Sequence, residues 1–390
     1  MAGLEFEDFS GRVSCTPRHR HEPRDEAELV RCVREARGCV RPVGSGHSGA
    51  PLCATDDTQI SLEHFHGIES VDPESRCAWI RAGTPVHALG APLWEAGFSL
   101  RNQGDVDVQA LAGAIATGTH GTGPALGSMS TQVEGLRLVL ASGDVWTCTR
   151  AQHPDVLDAA RVNLGALGVV SALCLSLEPA YWLHEREWKE DVEPGLEQLQ
   201  ARAGAPRHLE FWWLPPLDAL YMKSLHPTDA EPESVAGRRR ERIGRSFEVF
   251  PSVRADPFYE IEYAVPEAAG PACFRALRAW LRQHHPDVTW PIEYRTLAAD
   301  DIPLGVAFER PSVTLSVHQA RGLPYAKLFA DAEAILREHD GRPHWAKAHS
   351  LTATELAPLY PRWADFARVR CELDPHGRFL SPYLRELLGA

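Results

Sequence analysis

The chain has 390 residues, 44% of them hydrophobic and 24% charged, with a formal net charge of −13. That length exceeds what one hydrophobic core usually grows to, so two domains are expected, and the acidic balance argues against a nucleic-acid scaffold and for small or neutral substrates. Nine scattered cysteines with no Cys-x-x-Cys pair suggest neither a zinc ribbon nor a disulfide framework, so free thiols in a reducing, cytoplasmic setting are expected. The opening Met-Ala-Gly-Leu-Glu-Phe-Glu-Asp8 has no basic and apolar leader pattern, so no signal peptide is expected. No stretch approaches the roughly 18 apolar residues of a membrane span, so no membrane partner is expected.

Residues 1–24 read as polar and irregular. Positions 25–37 read as a helix: Ala27, Leu29, Val30, Cys32, Val33 and Ala36 recur at helical spacing, with acids leading and bases closing. An extended run over 39–43 feeds Arg41-Pro-Val-Gly-Ser-Gly-His-Ser-Gly49. Closely spaced glycines let another molecule approach the backbone, and such a turn presents N–H groups suited to a pyrophosphate. Taken alone it reads equally as a surface turn with a histidine in it. It is not a dinucleotide fingerprint, because no helix pattern follows directly. Short strands are expected over 58–62, 67–71 and 78–82. A helix is expected from Pro85 to about Ala96, with Thr84 as N-cap.

The small-residue stretch Leu100-Arg-Asn-Gln-Gly-Asp-Val-Asp-Val-Gln-Ala-Leu-Ala-Gly-Ala-Ile-Ala-Thr-Gly-Thr-His-Gly-Thr-Gly123 comes next. It reads as a ligand-lining loop or as a tight connection with a buried half-helix at 110–116. A hairpin is expected over 133–149, a short helix over 155–163 and a buried strand within 164–177. Composition shifts at Glu178-Pro179, which sets the expected boundaries: domain one over 1–178, a cap over 179–350, and a return to domain one over 351–390. In the cap, strands are expected near 208–214, 221–225, 257–265 and 313–319, with helices over 271–283 and 324–339. The basic run in 237–245 reads as a solvated loop, or as a polyanion patch. In Trp290-Pro-Ile-Glu-Tyr-Arg-Thr-Leu-Ala-Ala-Asp-Asp301, Glu293 and Arg295 share one strand face, as do Ser316 and His318 further on. A buried same-face ion pair is costly, so it suggests function.

The turn at 41–49, the stretch 100–123, Glu293-x-Arg-Thr-Leu-Ala-Ala-Asp-Asp301, His344-Trp-Ala-Lys347 and the tail Tyr360-Pro…Asp374-Pro-His-Gly-Arg-Phe379 occur in this order. Together they resemble the vanillyl-alcohol-oxidase-type flavoproteins, in particular the sugar branch of aldonolactone and alditol oxidases. The resemblance spans nearly the whole chain. It implies an α+β fold of two domains, an FAD-binding domain of the PCMH type beneath an α+β substrate cap. It implies FAD attached covalently through His47. The cofactor would be lined by Pro42, Val43, Gly44, Ser45, Gly46, Ser48, Gly104, Ala112, Gly113, Thr117, Gly118, His120, Gly121 and Thr122. Gly168, Val169 and Val170 would meet its adenine half, and Lys347 would reach both flavin and substrate.

The resemblance further implies that Glu293 holds substrate hydroxyls, with Arg295 near flavin and substrate. Two departures stand out. Ser316 occupies the place where alditol oxidases carry a histidine, and Ala346 replaces a glycine. The aspartate at 105, where alditol oxidases have serine, looks more like lactone-oxidase-like members.

Hydride transfer to flavin N5 needs a proton acceptor and a fixed cation near N1/O2. Lys347 and Arg295 suit the cationic role, and His318 and Asp105 are candidate acceptors. The expected reaction oxidises a small polyhydroxy substrate, an aldonolactone such as D-arabinono- or L-gulono-1,4-lactone, with molecular oxygen yielding H2O2. An alditol of the xylitol or sorbitol type, or a pathway-specific substrate, is the alternative.

Overall fold

The computed structural model describes residues 5–202, 207–252 and 256–390. Helix Glu26–Glu35 starts where the Asp25 carboxylate accepts from Glu28 N–H (2.7 Å) and buries Leu29 and Val33. It leads into strand Val40–Val43, which pairs in parallel with Thr58–Ser61; His19–His21 flanks that strand on its other side. A five-stranded antiparallel sheet follows, in the order Val145–Thr149, Val133–Val139, Val169–Ser176, Cys77–Arg81 and Ile68–Asp72. The short helix Leu111–Thr117 ends at Gly118, whose φ of 75° is left-handed.

Three local expectations need correction. Thr84 is not an N-cap: its hydroxyl donates to the Arg81 carbonyl (2.7 Å), and the next turn is the 3-10 segment Val86–Leu89 ahead of helix Gly90–Glu95. The apolar run 164–177 is a strand only over Val169–Ser176. Leu164, Gly165 and Gly168 have φ of 56°, 66° and 152°, so its first third is a turn. The basic run is partly strand: Glu241–Arg245 forms an edge of the cap sheet against Trp182–Arg186.

The second sheet has eight antiparallel strands, in the order Glu241–Arg245, Trp182–Glu190, Ala219–Thr228, His208–Leu214, Ile292–Leu297, Ser312–Ala320, Phe258–Pro266 and Arg342–Pro343. Alternation along the strands gives its two faces opposite characters. One face is aromatic: Phe211 lies 4.7 Å from Tyr294 and 5.0 Å from Phe274 of helix Gly270–His284, ring to ring. The other face carries Glu210, Lys223, Glu262, Glu293, Arg295, Ser316 and His318.

The last helices, Trp363–Leu373 and Pro382–Leu388, lead the chain back to the first sheets. Arg378 donates to the carbonyls of Val33 (2.7 Å), Ala36 (2.7 Å) and Ala141 (2.8 Å). Arg41, 1% exposed, donates to the carbonyls of Leu52 (2.7 Å), Gly165 (2.7 Å), Leu164 (2.6 Å) and Phe379. Burial lowers its pKa to about 10, so it remains a cation at neutral pH. Removing this donor strands several buried carbonyls. Arg41→Met is therefore expected to lower the unfolding free energy by about 3 kcal/mol or more, read by urea denaturation.

Candidate active site

Two cavities meet above the His47 turn. The larger, an open cleft of about 870 Å³ counting its solvent-open space, is lined by Pro42, Val43, Gly44, Ser45, Gly46, His47, Ser48, Gln109, Ala112, Gly113, Thr117, Gly165, Gly168 and Val170. The sequence folds this way for local reasons. Gly46 has φ of 65°, which turns the chain back at low cost. The Ser45 hydroxyl accepts from Ala110 N–H (3.1 Å) and so ties the turn to the start of helix Leu111–Thr117. A Cβ added at Gly113 would meet nothing within 4 Å, so backbone faces open space there. The buried Gln109 Oε1 has no hydrogen-bond partner among the described residues. An elongated cleft walled by backbone, with an unused amide at one end, fits an extended dinucleotide such as FAD.

The second cavity, about 620 Å³, shares His47 and Gln109 with the first. Gly104, Asp105, His120, Glu260, Glu262, Glu293, Arg295, His318, His344, Ala346 and Lys347 line it. Thus Glu293, Arg295, Lys347, His318 and Asp105 come together in one chamber beside the cleft. Four expected cofactor residues line neither cavity. Gly118 terminates a helix, and Val169 is in the sheet core. Gly121 packs where a Cβ would sit 2.3 Å from the Gln103 carbonyl oxygen, and the Thr122 hydroxyl donates to Leu209 O (2.6 Å), joining loop to cap. Gly104 and His120 face the second cavity rather than the first.

The chamber is a set of compensated charges. Arg295 Nη2 donates to Glu293 Oε1 at 2.5 Å, and its Nε lies 3.3 Å from Glu210. Burial opposes the guanidinium, but Glu293 and then Glu210 outweigh it and hold its pKa above the ordinary value. Lys347 Nζ donates to Glu260, whose other oxygen is 3.5 Å from His318 Nε2. Burial opposes the Lys347 ammonium too, and Glu260 and Glu262 overcome it, raising its pKa. Burial would raise the Glu260 carboxyl, but Lys347 and His318 hold it below the usual range. His318 Nδ1 donates to Pro291 O (2.9 Å), so both its ring nitrogens are occupied. His47 stacks on Phe9 at 4.4 Å. Burial, and next Lys347, push its pKa down to about 4, which leaves a neutral imidazole.

Glu260, Glu262, His344 and Gln109 were missed by the sequence reading. Glu262 accepts from His120 Nε2 (2.6 Å) and Ser316 Oγ (2.9 Å), so Ser316, at the place where the resemblance puts a histidine in alditol oxidases, serves a carboxylate. Burial pushes His344 down to about 4, and its Nδ1 accepts from Ala346 N–H (3.1 Å). The available signal was Glu260-x-Glu262 inside an aromatic strand: period two puts both carboxylates on one face.

A cleft suited to FAD that opens on a chamber of fixed charges defines a flavin-dependent oxidoreductase. Residues 17–149 match the FAD binding domain family and residues 232–387 the D-arabinono-1,4-lactone oxidase family. The chain is 33% identical to the L-gulono-1,4-lactone dehydrogenase of Mycobacterium tuberculosis, over 98% of this chain and 99% of that one. It is 27% identical to the L-gulonolactone oxidase of Mus musculus (99% and 98%) and 28% identical to an alditol oxidase of Streptomyces sp. (98% of each). Its fold matches the cholesterol oxidase of Brevibacterium sterolicum with a TM-score of 0.85 at 15% identity, over 99% of this chain and 97% of that one. The chain belongs to the sugar branch of the vanillyl-alcohol-oxidase-type FAD flavoproteins. No helix among the described residues is long and apolar enough to cross a membrane.

Glu262 gives a test of this electrostatic reading. Burial would raise its carboxyl, but His120 and His344 hold it well below the ordinary 4.5. A depressed carboxylate contributes stability above the unfolded value and loses it as pH falls through the folded one. Glu262→Gln should therefore cost about 3 kcal/mol at pH 7. The gap to the unsubstituted protein should shrink steadily below pH 4.5 in denaturant titrations.

Proposed function

We propose that the protein oxidises a carbinol of a neutral sugar-derived lactone, of the D-arabinono- or L-gulono-1,4-lactone kind. The carbinol loses a hydride and a proton to become a carbonyl, and O2 takes up both electrons and two protons to leave as H2O2. FAD, when bound, supplies the two-electron acceptor between substrate and oxygen. The observation that carries this reading is the joining of the two cavities: His47 and Gln109 border both, and the Glu293–Arg295 and Glu260–Lys347 pairs stand in the second.

The protein's own residues would divide the work. Glu293, a buried acceptor on a rigid strand, holds substrate hydroxyls and fixes the reacting carbon. Arg295 and Lys347 supply fixed positive charge to the substrate oxygen and to the cofactor's polar edge. Glu260, placed between Lys347 and His318, holds both in the cavity wall. A neutral His47 is the form able to bond to the cofactor's 8α-methyl carbon. The similarity to lactone-oxidising relatives supports the lactone, and that to the alditol oxidase keeps acyclic polyols in the assay panel.

The first measurement is the absorbance of purified protein before and after acid precipitation. Flavin colour should stay with the pellet and pass to the supernatant in His47→Ala; colour released from the unsubstituted protein would end the covalent assignment. A peroxide assay should then show turnover on 1,4-lactones above that on polyols, and the reverse order would move the substrate class. Lys347→Met should lose about 100-fold in kcat with flavin retained.

A further inference from the structure

On the charged face of the cap sheet, Glu210 lies directly opposite Arg295 on one neighbouring strand and Lys223 on the other. Its carboxylate spans them: Oε2 is 3.3 Å from Arg295 Nε and Oε1 is 3.5 Å from Lys223 Nζ. Lys223 Nζ is also 3.8 Å from Asp105 and 3.6 Å from Glu185. Glu185 in turn accepts two bonds from Arg242 (2.7 and 3.1 Å), whose side chain is half exposed. Glu210 and Lys223 are 4% and 3% exposed, and neither belongs to the chemistry assigned above. The charges thus form one line from the substrate chamber across the charged face to the edge strand of the sheet.

We infer that Glu210 and Lys223 are positioning residues for Arg295, forming a clamp that holds the guanidinium aimed at the substrate when Glu210 is ionised and releases it when Glu210 takes up a proton. Arg295 is paired with two carboxylates: Glu293 by a hydrogen bond within its own strand, and Glu210 by an ion pair across the sheet, where Nε makes no hydrogen bond among the described residues. Protonation of Glu210 removes the charge across the sheet and leaves Glu293 as the hydrogen-bonded partner of the guanidinium. Around the line, the carboxylates of Asp105, Glu185, Glu210 and Glu293 share the cations of Lys223, Arg242 and Arg295, so one carboxylate is in excess. Glu210, which stands between Lys223 and Arg295 at the middle of the line, is the candidate to take the balancing proton. Burial raises its carboxyl to about 7; Lys223 and Arg295 oppose this, and Asp105 and Glu293 reinforce it. On its own strand the nearest titratable group is His208, whose Nδ1 is hydrogen-bonded to Thr122 O (2.7 Å) and which burial holds neutral, at about 3.

The inference rests on the lactone-oxidising reading for its kinetic test and on the protein alone for its spectroscopic one. In the flavin-loaded enzyme, kcat should fall with an apparent ionisation near pH 7 as the medium is acidified. Glu210→Gln should lower kcat about tenfold, change KM less than about threefold, and remove that ionisation. Should Glu210→Gln fail to fold, the double variant Glu210→Gln/Lys223→Met removes both charges together and should show the same flat profile. An infrared pH titration should find a protonated-carboxyl band that appears through the same pH range and is absent from both variants. A kcat and pH profile unchanged in the variants would overturn the clamp, as would a band that persists without Glu210. Absence of turnover on every lactone and polyol would overturn the function proposed above, and the infrared titration would still decide the protonation of Glu210.

Discussion

A carboxylate taken out of water must find a cation or several donors, and the inner face of the eight-stranded sheet is built around that requirement. Glu210, Glu262 and Glu293 are each at most 4% exposed, and every one has a partner across the sheet, along its own strand or from the loops below it. Such pairs are weak sources of stability, because desolvation offsets most of their attraction. Their persistence on one face, while the opposite face is packed with Phe211, Trp213, Tyr263 and Tyr294, places their value in the chamber that Glu262 and Glu293 line and that Glu210 backs through Arg295. Preorganised charge in a site shielded from water is what a reaction that moves a hydride and a proton requires.

The same requirement explains how the two halves are joined. His120, from the small-residue loop, reaches up to Glu262, and Thr122 two residues later is bonded to Leu209 on a cap strand. Asp105 lies at the foot of Lys223 and is held in place by Ser252, whose hydroxyl donates to it at 2.6 Å. The loop thus forms the floor of the chamber while its helical part, Leu111–Thr117, walls the cleft. Its poverty in bulky side chains follows: Gly121 already sits against the Gln103 carbonyl, and Gly104 against Thr119 and the Val106 carbonyl.

Much of this was legible in the sequence, for identifiable reasons. Glu293 and Arg295 declared a shared face because a strand repeats every two residues. The His47 turn and Lys347 were reached through ordered motifs, and they do border the same chamber. Lone charges in apolar strands were not legible. Glu210 in His208–Leu214 and Lys223 in Ala219–Thr228 each look like a residue facing solvent until the register sets them opposite one another. Register between strands distant in sequence depends on the whole packing and leaves no local trace. Leu164-Gly-Ala-Leu-Gly168 failed differently, since its apolar composition masks a turn made by positive φ angles. Gly121, Thr122 and Val169 shared motifs with true lining residues but point into packing.

The arrangement also limits where chemistry can occur. The cleft and the chamber have only His47 and Gln109 in common among their described lining residues, so a group held in one meets a group held in the other along that short wall. Lys347 borders the chamber beside His47 and is close enough to depress its basicity. Glu260 anchors Lys347 from the opposite strand, and Arg295 lies two strands further along the same sheet. In the proposed reaction, a substrate held by Glu293 and Arg295 would lie between that sheet and the floor at Gly104 and Asp105, beside the wall shared with the cleft. The cap need contribute no moving part to achieve this. On that reading, fixed strands, each carrying one or two charges on its inner face, would bring the reacting carbon to the shared wall.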